Sequence, residues 1–213
     1  TLSLNKSKPV KITLAVLLMM AMPCAVYFPW RINSASLNAE RYAYASMDGD
    51  NATALYYIDK AASQDPFKTE YKASLAQALV NAEKVTQSTF DTANRLAAEA
   101  LEDGVYSADT LRLLREYYYS TAQFDKAGEV AMLLIETKPL RIELWENYAE
   151  FIDRVLLNFE DKLDQQEKWL ERGMEIPEQM ARYSEGKWVP VEPNGPIEEK
   201  LDAWQNQLNT LRS

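Results

Sequence analysis

The strongest constraint on the fold of this chain is a spacing of small and apolar residues that recurs along it. Two segments place such residues and a closing proline at relative offsets 0, 4, 7 and 12: Ala54, Ile58, Ala61 and Pro66, and then Ala127, Ala131, Leu134 and Pro139. A third segment keeps the first three positions without the proline: Ala93, Ala97 and Ala100. Residues three and four apart share one face of an α-helix, and proline does not continue a helix. The spacing therefore predicts helices that pack along small-residue seams and end soon afterwards.

Stretches with helical spacing also precede two of these segments, over 69–81 and 108–124, and one opens a further pair at 143–155. The pairs resemble the two helices of the tetratricopeptide repeat (TPR), in which small residues permit close helix contact and a proline ends the unit. The resemblance implies an all-α fold over residues 34–174, with about three to four hairpins stacked into a right-handed superhelix, because one hairpin cannot bury its apolar face alone. A generic helical bundle with alanine-rich seams is the alternative.

The first 30 residues predict a transmembrane helix. Residues 12–30, from Ile12 to Trp30, carry no charge, and a helix of 19 residues is about long enough to cross ~30 Å of hydrocarbon. Basic residues precede this run and aromatic residues close it: Lys6, Lys8 and Lys11, then Tyr27 and Trp30. A basic flank favours the cytoplasmic side. We therefore expect residues 1–33 to form a cytoplasmic flank and a single span that contacts the lipid bilayer, with the bulk of the chain extracytoplasmic.

Three other interpretations of these residues stay open. A cleaved signal peptide has the same basic start, although its apolar core is usually shorter, about 7–15 residues. A lipoprotein signal is disfavoured because Pro23 precedes Cys24 where a small residue is needed, and a buried soluble helix is disfavoured by the uniform apolarity. Since the chain starts at Thr1 rather than Met, the apolar run is also compatible with the last of several membrane helices in a longer polypeptide.

After Met174 the repeat pattern stops. Residues 175–213 carry prolines at positions 177, 190, 193 and 196. The sequence predicts a short helix near 177–183, an extended segment around 188–196 and a final helix over 197–211. We expect the final helix to cap the apolar end of the repeats, with Trp188 and Trp204 packed against it. A dedicated binding element is the alternative.

The TPR resemblance points to the first helix of each hairpin as the side that binds ligands, since those helices line the concave face of such arrays. Counting along each first helix gives these groove positions: Ala73, Gln77 and Asn81; Arg112, Glu116 and Tyr119; Glu146, Glu150 and Asp153. A polar, partly acidic groove with one aromatic ring suits a peptide or a glycan. A solvated helix surface is the alternative.

The composition excludes most catalytic classes. The 213 residues include no His and a single Cys, so a Ser-His-Asp triad, a His-ligated metal or haem and an intramolecular disulfide are all excluded. The six glycines are spread singly and form no phosphate-binding loop. A net charge of −9 disfavours nucleic acid as a partner. We therefore predict a chain that is not an enzyme and has no catalytic residue, metal site or cofactor.

The order of these features is similar to the C-terminal part of bacterial O-antigen ligase/polymerase-like membrane proteins, in the forms that end in an extracytoplasmic TPR region. The residues that carry the resemblance are the apolar run at 12–30, Gly49, Asp50, Ala54, Ala61, the Asp65-Pro66-Phe67 segment and the tail at 176–201. The resemblance implies a non-catalytic interaction module that binds a protein partner or positions a glycan. A stand-alone TPR adaptor for a secretion, pilus or cytochrome-biogenesis system is the alternative.

Overall fold

The computed structural model describes residues 8–102 and 107–213, and in the first helix it describes side chains at Met19 and from Ala25 onward. All regular secondary structure in these residues is helical. The helices are α1 (Lys8–Met47), α2 (Asn51–Gln64), α3 (Thr69–Val80), α4 (Gln87–Glu102), α5 (Ala108–Ser120), α6 (Phe124–Thr137), α7 (Ile142–Leu156), α8 (Leu163–Met174), α9 (Ile176–Ser184) and α10 (Gly195–Leu211). The chain divides into two compact units, Thr1–Gly104 and Val105–Ser213.

The predicted transmembrane helix is wrong. Among the residues that the structure describes, no helix combines the length and the apolarity needed to cross a bilayer. Instead of ending near Trp30, α1 continues to Met47 through a stretch that includes Arg31, Glu40 and Arg41. The localisation predicted from a single span is overturned with it. Some residues on which that prediction drew lie outside the described side chains: Lys6, Lys8, Lys11, Pro23 and Cys24.

The C-terminal half of α1 packs against α2 in the first unit. Ala35 in α1 and Ile58 and Ala61 in α2 are each 1% exposed or less and lie in one apolar cluster. The guanidinium of Arg31 donates to the carbonyl of Ser63 at 2.6 Å, which joins the start of this contact to the end of α2. The part of α1 that follows the apolar run is therefore one arm of a helical hairpin.

The small-residue seams predicted from the sequence are buried in both units. Nine seam residues are each 4% exposed or less: Ala54, Ile58, Ala61, Ala93, Ala97, Ala100, Ala127, Ala131 and Leu134. Helices α2 and α6 end at C-caps that directly precede Pro66 and Pro139. Helices α3 and α4 pack as one pair, and α5 and α6 as another. This helical architecture is compatible with a TPR-like repeat.

In the second unit α7 pairs with α8, and α10 packs on both. Trp145 and Trp169 are fully buried in its core. Gly173 of α8 lies against Trp204 of α10, and a Cβ at Gly173 would stand 2.5 Å from the indole Cε3, so this approach requires glycine. Of the two tryptophans expected to cover the end of the repeats, Trp204 is 2% exposed as predicted. Trp188 is fully exposed, and that part of the prediction is wrong.

Candidate functional site

Two of the predicted groove residues, Glu116 and Tyr119, lie where α5 meets α7. The guanidinium of Arg154 donates to both carboxylate oxygens of Glu116, with Nη1–Oε1 at 3.3 Å and Nη2–Oε2 at 3.1 Å. Arg115, the neighbour of Glu116 on α5, donates to Oε1 from Nε at 3.2 Å and from Nη2 at 2.9 Å. The Glu116 carboxylate is therefore held by two guanidinium groups, one from each helix.

These two arginines set the charge of Glu116. Partial burial opposes ionisation of the carboxyl group, but the hydrogen bonds from Arg154 and the charge of Arg115 outweigh burial, and the pKa of Glu116 lies below its ordinary value of 4.5. The group is consequently an anion at neutral pH with its oxygens already in use. It can hold α5 against α7, but it has no proton to donate as a general acid.

The ring of Tyr119 lies against the same arginine. The Arg154 guanidinium carbon is 4.3 Å from the ring centroid, and the Tyr119 hydroxyl donates to the Arg154 carbonyl at 3.2 Å. The Asn158 side chain donates to this hydroxyl at 3.3 Å, and Phe124 and Phe151 make edge contacts with the ring at 5.6 and 6.1 Å. Tyr119 therefore belongs to the α5–α7 contact and is not the free aromatic platform that the sequence suggested.

Another side of α7 is attached to the C-terminal segment. Glu146 Oε1 accepts a hydrogen bond from Asn194 Nδ2 at 2.6 Å. Asp153 accepts from Trp204 Nε1 at 2.7 Å and forms an ion pair with Lys200. The paired residue numbers rise together, so α10 runs parallel to α7. Two of the predicted groove positions on α7 are thus occupied by the chain's own last helix and the loop before it.

The remaining predicted residues of the second unit, Arg112 and Glu150, are exposed. The Arg112 guanidinium donates to Asp109, three residues earlier on α5, at 2.8 Å. Glu150 lies on α7 between Glu146 and Asp153, and both of these carboxylates accept hydrogen bonds from the C-terminal segment. Arg112 and Glu150 are therefore the predicted groove residues whose charged groups remain accessible to a partner.

The predicted residues of the first unit form a smaller arrangement. Gln77 and Asn81 lie at the end of α3, and Gln77 Nε2 donates to Asn81 Oδ1 at 3.4 Å, a long contact. Ala73 is completely buried, so its assignment to an open groove is wrong. The first unit therefore offers a pair of amides rather than the polar groove expected there.

A cavity of about 450 Å³ lies beside the Asp153 pairs, between α7 and α10. Leu157 and Glu160 line it from the α7 side, and Lys200 and Trp204 line it from α10. Leu157 is 71% exposed, so an apolar side chain of the cavity lining is open to solvent. The cavity therefore adds an exposed apolar side chain to the side of α7 that meets α10.

The residues that hold this surface together were not among the predicted site residues: Arg115, Arg154, Asn158, Asn194 and Lys200. Helical offsets indicate where a side chain lies on its own helix but not which residue of a neighbouring helix it meets. One signal was present, because Glu116 and Arg154 are opposite charges near the ends of consecutive first helices. Comparing charges at matched positions of neighbouring hairpins would have suggested the pair.

Within the described part of the chain, no three or more acidic, His or Cys side chains are grouped so that they could hold a metal ion. No protein-family model matches the sequence, and no curated protein is significantly similar to it.

Proposed function

We propose that this chain is a non-enzymatic, TPR-like interaction module and that a partner protein binds the surface formed by α5, α7 and α10. The observation that carries the proposal is the attachment of α7 to both of the other helices, through Glu116–Arg154 and through Asp153–Lys200. Helices held side by side in this way present a preformed surface, and a preformed surface loses less conformational entropy when a partner binds.

The accessible groups on this surface suit a peptide segment of mixed character. Arg112 supplies a positive charge, Glu150 a negative charge and Leu157 an apolar contact. Protein interfaces commonly combine such an apolar contact with a charged rim. A glycan is less well supported, because the ring face of Tyr119, the aromatic group expected to stack on a sugar, is covered by Arg154 at 4.3 Å.

The ionisation and the hydrogen bonds of the carboxylates also favour a binding role over a catalytic role. Glu116 has a lowered pKa and pairs with two arginines, while Glu146 accepts from Asn194. A general acid needs a raised pKa and an accessible proton. The carboxylates of this surface therefore act as structural anions in the proposal.

Site-specific crosslinking tests the proposal. A photoreactive amino acid placed at position 112, 150 or 157 is expected to give a discrete adduct with one partner in cells that express the chain, and mass spectrometry identifies that partner. The same substitution at Lys138 and Glu178, two exposed residues outside the surface, serves as the matched control. Adducts of equal yield at all five positions, or none at the three surface positions, would contradict the proposal.

Binding of the purified partner then gives the quantitative test. We expect Arg112→Glu with Glu150→Lys to weaken the complex by about tenfold or more, as hot-spot substitutions do, while Lys138→Glu with Glu178→Lys leaves it unchanged. Tyr119→Ala is unsuitable for this purpose because it removes contacts that join α5 to α7. Titration calorimetry measures the affinities, and circular dichroism shows whether each variant keeps its helices.

The larger protein to which such a module belongs is a separate proposal that rests on the resemblance alone. On that basis the chain is the non-catalytic region of a polysaccharide ligase- or polymerase-like protein, and the alternative is a stand-alone adaptor in a secretion, pilus or cytochrome-biogenesis system. The reading frame upstream of Thr1 discriminates between them. Several hydrophobic spans there would support the first, and an initiating Met close to Thr1 would support the second.

A further inference from the structure

A second cavity in the Val105–Ser213 unit, of about 470 Å³, lies between α6, α7, α8 and α9. Its volume falls within the range of about 300–1,000 Å³ that is typical of small-ligand sites. Six polar side chains line it: Glu129, Glu136, Tyr148, Arg172, Glu175 and Gln179. None of them belongs to the predicted groove, so this cavity is a separate candidate site.

Gln179 places an unused acceptor in the wall of this cavity. Its Nε2 donates to Glu175 Oε2 at 3.2 Å, and because a carboxylate only accepts hydrogen bonds, this contact fixes the orientation of the amide. The other amide atom, Oε1, is then buried and has no hydrogen-bond partner among the described residues. A buried acceptor without a donor is destabilising. A ligand that brings a donor would satisfy it.

Tyr148 supplies a second unused polar group. The residue is only 4% exposed, yet its hydroxyl has no hydrogen-bond partner within the described residues, and it lines the cavity. The rest of the side chain is buried, so the hydroxyl is the part of Tyr148 that the cavity leaves accessible. Burial raises the pKa of Tyr148 to about 12, so the hydroxyl is protonated at neutral pH. It can therefore accept from a ligand through its lone pairs or donate to one.

The charges around the cavity leave an excess of carboxylate. The one cation in the lining, Arg172, stacks on Trp169 at 4.6 Å and pairs with Asp125 at 3.1 Å, a carboxylate that it shares with Lys168. Three glutamates in the lining therefore face one arginine. Among the described residues, Glu129, Glu136 and Glu175 have no Lys or Arg nitrogen within 4.0 Å. These glutamates give the cavity an unbalanced negative charge.

The arrangement of these acceptors does not suit a metal ion. In the described part of the chain, no three carboxylates come close enough together to share one. The acceptors are instead spread around the cavity wall, and they include an amide oxygen and a phenol as well as carboxylates. A ligand that satisfies several of them must carry positive charge and several donors that point in different directions.

We propose that this cavity binds the guanidinium group of an arginine side chain from a partner peptide. A guanidinium is planar, always charged and has five N–H donors, which matches a set of separated oxygen acceptors better than a compact ammonium does. The apolar side chains of Met132 and Leu133 also line the cavity and can cover the arginine methylenes. The cavity is separate from the α5–α7–α10 surface, so an experiment can contradict one of the two proposals without contradicting the other.

Two short peptides test the charge requirement. Acetyl-Gly-Arg-Gly-amide is titrated against the full chain and followed by the backbone amide NMR signals, beside the same peptide with citrulline in place of arginine. Citrulline keeps the shape but has no charge. We expect the arginine peptide to shift signals in α6 and α9 and to bind about tenfold more tightly than the citrulline peptide, since charge-assisted hydrogen bonds are the stronger kind. Equal binding of the two, or no shift with the arginine peptide, would overturn the proposal.

Single substitutions locate the site. Glu175→Gln is expected to weaken binding of the arginine peptide by about five- to tenfold, and Tyr148→Phe, which removes only the hydroxyl, by about threefold. Glu143→Gln changes the same charge at an exposed position beside Arg141 and is the matched control, with no expected effect. Circular dichroism melting shows whether each variant is folded. Undiminished binding by folded Glu175→Gln would show that the proposal is wrong.

Discussion

The indole Nε1 of Trp204 donates a hydrogen bond to the Asp153 carboxylate at 2.7 Å, while the ring of Trp204 lies against Gly173. One side chain therefore joins α10 to α7 through a polar contact and to α8 through an apolar contact. Because Trp204 is only 2% exposed, the ring has little room to move away from a new atom on either side.

Gly173→Ala is expected to destabilise the chain. In a helix interior this change normally stabilises by about 0.5–1 kcal/mol. Here the added Cβ would stand 2.5 Å from Trp204 Cε3, and overpacking of this kind costs about 1–3 kcal/mol. Urea unfolding followed by circular dichroism measures the change. Gly195→Ala is the control because no atom lies within 4 Å of the added Cβ; similar stability for the two variants would refute the steric explanation.

The small residues of the seam in α2 are expected to be intolerant of larger side chains. Ala61→Leu is expected to lower the free energy of unfolding by about 1–3 kcal/mol, because Ala61 is completely buried between α1 and α2 and larger side chains strain a packed contact. Ala52→Leu on the exposed side of the same helix is the control, with an expected change within about 0.5 kcal/mol. Thermal and urea unfolding are both suitable measurements. A tolerated Leu at position 61 would mean that the seam is not tightly packed.

The Glu116–Arg154 pair makes stability depend on acidity. The pKa of Glu116 is lower in the folded chain than its ordinary 4.5, so the folded state binds fewer protons. The stabilisation is therefore present above pH 4.5 and is lost as the pH falls through the folded pKa. Both side chains are partly exposed, 39% and 44%, so we expect only about 0.2–1 kcal/mol.

A comparison of Glu116→Gln with the unmodified chain measures the stabilisation that the ionised Glu116 contributes. Urea unfolding at neutral pH should show the difference in stability, and the difference should shrink as the pH is lowered. Arg182, which pairs with Glu178 on the exposed side of α9, allows a matched control through Glu178→Gln. A gap between Glu116→Gln and the unmodified chain that stays constant with pH would rule out ionisation of Glu116 as its cause.

At alkaline pH the burial of Tyr148 predicts the opposite dependence. Its pKa is raised from 10.0 to about 12, so the folded state holds the proton more tightly than the unfolded state does. The stabilisation is complete below pH 10 and is lost as the pH rises through about 12. Tyr148→Phe should therefore reduce the loss of stability over this range. Because the chain has 12 tyrosines, the difference in ultraviolet absorbance between the unmodified chain and Tyr148→Phe gives the phenolate fraction of Tyr148. A difference titration with its midpoint near 10 and without unfolding would contradict the prediction.

The helices could be predicted from the sequence wherever local chemistry decides them. The segments 177–183 and 197–211 correspond to α9 and α10, because prolines near the helix starts and regular apolar spacing are local signals. The prediction of a transmembrane helix was wrong because it also rested on a local signal, the run of apolar residues. A count of apolar residues up to Trp30 takes no account of the helix continuing through Arg31 and packing on α2.

The site was less predictable because its contacts join residues far apart in sequence. Glu116 was correctly placed on the first helix of its pair, but Arg154, 38 positions away, determines its charge and its role. Tyr119 was expected to be open and is instead covered by Arg154. Trp188 lies in the proline-rich segment between α9 and α10 and is exposed, whereas Trp204 lies in α10 with its ring against Gly173. Such outcomes depend on packing between helices, which residue spacing does not specify.

Asp153 and Arg154 are consecutive residues of α7, and they hold α10 and α5 respectively. A rotation of α7 that loosens one contact must also displace the other. Opening of the C-terminal helix and opening of α5 are therefore energetically linked, as expected for neighbours in a linear array. Amide hydrogen exchange in α5 would then report on events at the far end of the chain, so that the last helix influences the rigidity of α5 through α7.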